Sequence, residues 1–156
     1  MLPFSHQISL SSPEETEAFA NRLAPHLTYG DTILLEGPIG SGKSLFSRSL
    51  ILSILPHPED IPSPTFTLVQ VYDGPKFQIW HCDLYRLTHP DEAWELGLEE
   101  AFDSSLCLIE WPDRLAGQEP KDALHITFVP ENGEVRLLKF QSHSARWNLL
   151  TEVLNA

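Results

Sequence analysis

The spacing of apolar residues predicts a helix near the N-terminus. Between Pro13 and Leu27, apolar side chains recur at helical intervals, at Ala18, Phe19, Leu23 and Leu27. Residues 12–15, Ser-Pro-Glu-Glu, supply an N-cap hydroxyl, a proline suited to the first turn and two acids that favour a helix N-terminus. We therefore predict that a helix begins just after Ser12.

Short apolar runs between turn residues predict the strands. These runs are Thr32–Glu36, Thr65–Asp73, Lys76–Tyr85 and Leu106–Trp111, followed by Ala123–Pro130 and Glu134–Phe140. The last two runs flank Glu131-Asn132-Gly133, and an Asn-Gly step between two such runs is typical of a hairpin. Further helices are expected over Leu45–Leu55, over Pro90–Phe102 with a break at Gly97, and over Ala145–Leu154.

Length and composition then limit the type of protein. The chain has 156 residues, the size of one ordinary domain, and its net charge is −12. Such an acidic chain is not expected to bind nucleic acid strongly by itself, since that binding depends on neutralising phosphates. No apolar run is long enough to cross a membrane, and the first residues lack a signal-peptide pattern. We expect a cytoplasmic protein with a reduced, buried thiol at each of Cys82 and Cys107.

One motif carries the first chemical prediction. Residues 37–44 read GPIGSGKS and satisfy the pattern G-x-x-x-x-G-K-[ST] between a predicted strand and a predicted helix. In such a loop, backbone N–H groups hold phosphates, the lysine reaches the terminal phosphates and the final hydroxyl binds Mg²⁺. The predicted phosphate-binding residues are Gly37, Pro38, Ile39, Gly40, Ser41, Gly42, Lys43 and Ser44. The alternative is a glycine-rich turn in which the Lys-Ser pair is incidental.

The order of these elements predicts the fold class. A strand, a phosphate loop and a helix are followed by more strands and a final hairpin. This order is typical of an α/β domain of the P-loop NTPase type, with three layers, a mixed sheet and a C-terminal antiparallel hairpin. We predict a single domain over residues 1–156.

Two acids at predicted strand ends indicate hydrolysis as well as binding. Glu110 ends the run LCLIE and Asp83 ends KFQIWHCD, and α/β sheets present ligand groups at the carboxyl ends of their strands. Both residues are therefore predicted catalytic and Mg²⁺-site carboxylates in an ATP-binding protein. The alternatives are a solvated strand-end acid for Glu110 and a salt bridge to Arg86 for Asp83.

The segment SPTFT suggests a further phosphate-sensing residue. Pro64 favours an extended conformation at Ser63, which would present Thr65 at the start of a strand. There the Thr65 hydroxyl is expected to sense the metal or the γ-phosphate, as a switch threonine does. The alternative is an ordinary turn before a strand.

Several segments, taken in order, resemble the bacterial TsaE family of tRNA threonylcarbamoyladenosine biosynthesis ATPases. They are Thr16 after EE, GPIGSGKS, SPTFTLVQVY, HCDLYRL, ELGLEE and LIEWP. The chain departs from the family pattern at Pro38 and Ile39, where an acid and Leu are usual, and at Ser44, where Thr is usual. The hydroxyl that binds Mg²⁺ is nevertheless kept at Ser44.

The resemblance implies a partner-dependent ATPase. It implies that the chain acts with TsaD-like and TsaB-like proteins, of which the first transfers the threonylcarbamoyl group to tRNA. It also implies a Mg²⁺ site at Ser44 and Glu110, with Asp83 as a catalytic or metal-linked acid. Trp111 would be a functional aromatic beside the nucleotide or the partner, although a buried core residue is an equal alternative. Thr16 is the one N-terminal residue expected in the adenine pocket.

Two other functions stay open at this point. One is a small-molecule kinase on the same fold, but such kinases usually close an arginine-rich lid over the phosphates. Between the loop and Pro120 the chain has only Arg48, Arg86 and Arg114. The other is a nucleotide-dependent interaction module with negligible hydrolysis, against which the two strand-end acids argue.

Overall fold

The computed structural model describes residues 4–62, 64 and 68–154. The strands in this part of the chain are β1 (Phe4–Leu10), β2 (Thr32–Glu36), β3 (Val69–Asp73), β4 (Gln78–Asp83), β5 (Leu106–Glu110), β6 (Leu124–Pro130) and β7 (Arg136–Ser142). The α-helices are α1 (Pro13–Leu23), α2 (Lys43–Ile54), α3 (Asp91–Glu95), α4 (Leu98–Ser104) and α5 (Leu150–Leu154). Short 3₁₀ helices cover Ala24–His26, Pro112–Leu115 and Ala145–Leu149.

All seven of these strands form one mixed sheet, in the order β1-β7-β6-β2-β5-β4-β3. Strand β2 lies parallel to both β5 and β6, and β4 lies parallel to β5. At the edges, β3 pairs antiparallel with β4, and β7 pairs antiparallel with β6 and β1. The predicted mixed sheet and the predicted C-terminal antiparallel hairpin are both confirmed.

Helices cover both faces of the sheet and give the predicted three layers. Successive strand residues point to opposite faces, so Ile33 and Leu35 of β2 pack with residues of α1, α2 and α5. Leu34, between them, packs with residues of α3 and α4 on the other face. Burial of apolar side chains on both faces is expected for the parallel strands at the centre of such a sheet.

The N-terminal strand β1 was not predicted. Apolar and polar residues largely alternate along this strand, but only Phe4 and Leu10, at its two ends, are buried. His6, which lies on the same face as these two residues, is exposed. The strand is held by pairing with β7, from Phe4 opposite Ser142 to Leu10 opposite Arg136. Those partners lie at the far end of the chain, so the local sequence carries little of the signal.

Helix boundaries differ from the predictions for local reasons. Helix α1 ends at Leu23 instead of Leu27, and Pro25, which has no N–H to donate, lies in the 3₁₀ turn that follows. The predicted break at Gly97 is confirmed, with a left-handed φ of 91° between α3 and α4.

Both cysteines are free and buried as expected, and burial raises the pKa of Cys107 to about 12.

In the described part of the chain, every helix falls short of the length and apolar character that a membrane crossing requires.

Candidate functional site

The GPIGSGKS segment forms a loop that joins β2 to α2. The helix begins at Lys43, with Gly42 as its N-cap at a left-handed φ of 106°. Gly37 and Gly40 also have positive φ, at 146° and 81°. Residues with a Cβ disfavour these angles, so glycine is needed for the backbone to follow this path. The path lets backbone N–H groups and the N-terminus of α2 face the same side of the loop.

Gly37 is the position where the loop tolerates no side chain. A Cβ there would lie 2.7 Å from the carbonyl oxygen of Phe128 and 2.8 Å from the Ser41 Oγ. At Gly40, by contrast, a Cβ would meet no atom within 4 Å. The loop is therefore packed against β6 on one side and open on the other, which is the shape of a cradle.

This difference predicts the outcome of two matched substitutions. Gly37→Ala is expected to destabilise the fold by about 1–3 kcal/mol more than Gly40→Ala, since both force a side chain into positive φ but only the first overpacks the loop. Urea unfolding of the two variants measures the difference. Equal unfolding free energies would show that the loop does not press against β6.

Lys43 is buried and points back over the loop. Its Nζ donates a hydrogen bond to the carbonyl oxygen of Gly37 at 2.6 Å and lies 4.5 Å from the centre of the Trp111 ring. Burial lowers the pKa of Lys43, and the nearby carboxylates of Glu110 and Asp83 oppose that shift. The ammonium group thus lies in a partly desolvated place between the loop and two acids, where water screens its charge less than at the protein surface.

The two predicted acids lie next to each other at the ends of parallel strands. Asp83 of β4 is opposite Glu110 of β5 in the sheet register. Strand alternation places both on the face of the sheet that α2 covers, with Ile79 and Leu108 behind them. Glu110 is only 4% exposed and Asp83 8% exposed, so Glu110 is not a solvated strand-end acid.

Each acid has a specific hydrogen-bond partner. The Tyr85 backbone N–H donates to Asp83 Oδ1 at 3.0 Å. The buried His81 ring lies with its Nε2 3.0 Å from Glu110 Oε2. Sequence reasoning included His81 only as a member of the HCDLYRL segment, so this contact is new information. Both carboxylates are held in defined orientations by these partners.

Trp111 packs against the core and also lines the candidate site, while its role beside a nucleotide or a partner stays a prediction. It follows Glu110 in a left-handed conformation with φ of 59°, an uncommon angle for a bulky residue. Its ring packs against the apolar cluster of α3 and α4 and also contacts the Tyr85 ring, with centroids 4.8 Å apart. Lys43 Nζ also lies over this ring, 4.5 Å from its centre. Trp111 is thus both a core-packing residue and a wall of the site.

A cavity of about 660 Å³ lies at the centre of these groups. Predicted site residues that line it are Thr16, Ile39, Gly40, Gly42, Lys43, Ser44, Asp83, Glu110 and Trp111. Gly37 and Pro38 line a smaller adjoining cavity together with Lys43 and Trp111. Ser41 lines neither; it is buried, and within the described residues its Oγ has no hydrogen-bond partner. Thr65 lies outside the described residues, so its switch role stays a prediction.

Other residues of the cavity were not predicted as site residues. They are Pro13, Leu45, Tyr85, Arg86, Glu134 and Arg136. The most informative is Arg136 on β7, whose guanidinium donates to the Gly40 carbonyl oxygen at 3.3 Å and to that of Gly133 at 2.9 Å. No local motif marks this arginine, because only the β7-β6-β2 strand order brings it to the loop.

The residues present fit a nucleotide and Mg²⁺. The cradle at Gly37, the positive-φ glycines and the Lys43 ammonium are suited to phosphate groups. Ser44, Asp83 and Glu110 offer the oxygen ligands that Mg²⁺ prefers. No group of three or more His, Cys, Asp or Glu side chains suited to a metal occurs among residues 4–62, 64 and 68–154.

Comparison with known proteins identifies the family. The family model "Threonylcarbamoyl adenosine biosynthesis protein TsaE" matches residues 10–138. The Rickettsia bellii protein named tRNA threonylcarbamoyladenosine biosynthesis protein TsaE is 40% identical over 137 residues, which are 88% of this chain and 95% of that protein. The Bacillus subtilis protein of the same name is 33% identical over 145 residues, covering 92% and 90% of the two chains.

A solved structure agrees with this result. The crystal structure of Bacillus subtilis YdiB superposes with a TM-score of 0.78 at 29% sequence identity, covering 99% of this chain and 96% of that one. Fold and sequence thus point to one family over nearly the whole chain. The chain belongs to the TsaE family of tRNA threonylcarbamoyladenosine biosynthesis proteins.

Proposed function

We propose that the chain is a Mg²⁺-dependent ATPase that serves threonylcarbamoyladenosine formation in tRNA without transferring the group itself. One observation carries this proposal: Lys43, Asp83 and Glu110 line the same cavity at the end of a glycine-rich loop. A phosphate-binding lysine beside two buried carboxylates is the combination that phosphoryl chemistry requires.

The loop and its lysine bind the triphosphate. Backbone N–H groups around Gly40 and Gly42 and the N-terminus of α2 provide fixed positive potential for the phosphates. The Lys43 ammonium, which hydrogen-bonds to the Gly37 carbonyl, neutralises charge on the terminal phosphates. Thr16 and Pro13 lie on another wall of the cavity, where Thr16 remains the proposed contact for the adenine.

The acidic side of the cavity would hold the metal and orient water. Ser44, Asp83 and Glu110 would hold Mg²⁺, which supplies charge neutralisation at the phosphate oxygens when bound. Glu110, buried and held by His81, is also suited to orient a water molecule toward the terminal phosphate. Asp83, whose carboxylate accepts a hydrogen bond from the Tyr85 N–H, would be the second carboxylate beside the metal.

The proposed partners are TsaD-like and TsaB-like proteins in the cytoplasm. Membership of the TsaE family supports a role in the tRNA-modification pathway. The net charge of −12 supports an auxiliary subunit that leaves tRNA binding to its partners. Partner contact is proposed to accelerate a slow intrinsic hydrolysis.

The test is ATP turnover by the purified chain with Mg²⁺, measured with and without the TsaD-like and TsaB-like proteins of the same organism. Release of inorganic phosphate that rises on addition of the partners supports the proposal. Transfer of the phosphate to a metabolite would instead identify a small-molecule kinase. Nucleotide binding without phosphate release under any of these conditions would leave an interaction module.

Arg136 offers a separate prediction for nucleotide binding. Arg136→Ala is expected to weaken ATP binding by about 2–10-fold, because the loop loses a hydrogen bond of roughly 0.5–1.5 kcal/mol that holds its Gly40 carbonyl. Lys139→Ala removes the same charge from an exposed position on the same strand and is the matched control. Isothermal titration calorimetry measures both affinities. If the two variants bind ATP with equal affinity, the hydrogen bond from Arg136 to the loop does not contribute to nucleotide binding.

A further inference from the structure

We infer that His81 is a positioning residue for Glu110: its ring holds one carboxylate oxygen so that the group keeps the orientation it needs in the cavity. This inference rests on the proposed function, since it concerns how the proposed Mg²⁺ and water site is kept in order. Glu110 lines the cavity, whereas His81 does not. His81 therefore acts on the chemistry through Glu110.

The fold brings the two side chains together across parallel strands. In the β4–β5 register, His81 lies opposite Leu108, two residues before Glu110, and all three point to the same face. The His81 side chain is 2% exposed and that of Glu110 is 6% exposed. The distance between Nε2 and Oε2 is 3.0 Å, and a hydrogen bond between two buried side chains is stronger than the same bond in water.

The proposed role of Glu110 determines the direction of the bond. A carboxylate that is to bind Mg²⁺ is ionised and can only accept, so the inference requires that the Nε2 of His81 carries the hydrogen and donates it. The other ring nitrogen, Nδ1, is buried and has no partner within the described residues. With the hydrogen on Nε2, the unpartnered Nδ1 is a bare acceptor, so no N–H is left buried and unpaired. Among the described residues, Glu110 is thus the one side chain to which the His81 ring is hydrogen-bonded.

Loss of this donor is expected to loosen Glu110 without moving its backbone. Residue 110 is fixed by the pairing of β5 with both β2 and β4. Its side chain, however, would no longer have a partner on Oε2 and would occupy several rotamers. Removing the outer partner of a metal-binding side chain typically costs about 10–100-fold in metal affinity or activity.

Two amide substitutions separate positioning from packing. In His81→Gln the terminal amide nitrogen reaches about where Nε2 lies, whereas in His81→Asn it ends near the place of Nδ1, away from Glu110. Both variants bury one amide, so similar losses of unfolding free energy in urea are expected. The Asn variant is expected to lose about tenfold or more in the turnover rate at saturating ATP, and the Gln variant to recover most of that loss.

Nucleotide binding provides a readout that does not depend on turnover. We expect His81→Asn to need at least about tenfold more Mg²⁺ than His81→Gln for half-maximal tightening of ATP binding, with equal ATP affinities in the absence of Mg²⁺. Equal Mg²⁺ requirements and turnover rates in the two variants would overturn the inference. If neither variant folds, ¹⁵N NMR of the wild-type imidazole decides: hydrogen on Nε2 supports the inference, and hydrogen on Nδ1 alone overturns it.

A Glu110→Gln variant measured in the same way separates this inference from the proposed function. If Glu110→Gln leaves both the Mg²⁺ requirement and turnover unchanged, the proposed metal site fails. If Glu110→Gln impairs both while His81→Asn does not, the metal site stands and the positioning role of His81 is refuted.

Discussion

Replacing Lys43 with alanine is expected to weaken ATP binding by up to about 100-fold, since a charge-assisted hydrogen bond is worth roughly 1.5–3 kcal/mol and 1.4 kcal/mol corresponds to a factor of ten. The same change removes the hydrogen bond from Nζ to the Gly37 carbonyl, so the loop also loses an internal support. Both effects act on phosphate binding, and they make this the largest expected effect on nucleotide affinity.

The matched control is Lys121→Ala, which removes the same charge from an exposed position. This control should bind ATP as the wild-type chain does, because a solvent-screened charge outside the cavity contributes little. Calorimetric titration with ATP at fixed ionic strength measures both variants. If Lys43→Ala and Lys121→Ala bind ATP equally well, the GPIGSGKS loop is not the phosphate site.

Replacing Glu110 with glutamine is expected to lower ATP turnover by about 10²–10⁴-fold, the range found when a positioned acid or base is removed. Glutamine keeps the size of the side chain and its buried place at the end of β5. It lacks the negative charge that would bind Mg²⁺ and orient water. Nucleotide affinity in the absence of Mg²⁺ should therefore change little while turnover falls.

Glu99→Gln is the control for this change, because Glu99 is an exposed acid in the first turn of α4. Its turnover should stay within about twofold of the wild type, as surface substitutions away from a site have small effects. Phosphate release with Mg²⁺ and the partner proteins measures both. Turnover by Glu110→Gln at the rate of Glu99→Gln would exclude Glu110 from the chemistry.

The parts of the site that could be predicted from the sequence have local signals. The apolar run before Gly37 and the helix after Gly42 define the phosphate loop in one continuous stretch, and the structure places β2 and α2 on either side of it. Asp83 and Glu110 each end an apolar run, and parallel pairing of β4 with β5 then brings the two together. These strand ends are readable because the run of apolar residues stops at a carboxylate.

The parts that could not be predicted depend on contacts between distant segments. Strand β1 and the Arg136 contact with Gly40 both need the position of β7 beside β6, which no local pattern encodes. The contact between His81 and Glu110 needs the register of β4 against β5, since a shift by one residue would turn His81 to the other face. The sequence placed His81 in a motif without indicating its partner.

Trp111 shows why some alternatives could not be separated in advance. An aromatic residue after a buried strand fits a core position and a ligand wall equally well. Trp111 has a left-handed backbone conformation, and its ring contacts Lys43 and Tyr85. The residue therefore packs against the core and lines the cavity as well. Neither the angle nor the neighbours can be inferred from the string LIEWP.

The most direct test of the central claim is ATP turnover in a reconstituted tRNA-modification reaction. The chain, the TsaD-like and TsaB-like proteins, tRNA and Mg²⁺ would be combined, and phosphate release and threonylcarbamoyladenosine formation would be followed together. We predict that the wild-type chain supports both over many turnovers, and that Glu110→Gln abolishes phosphate release and with it sustained modification. The account would be contradicted if the Glu110→Gln variant supported full modification, or if the wild-type chain released no phosphate.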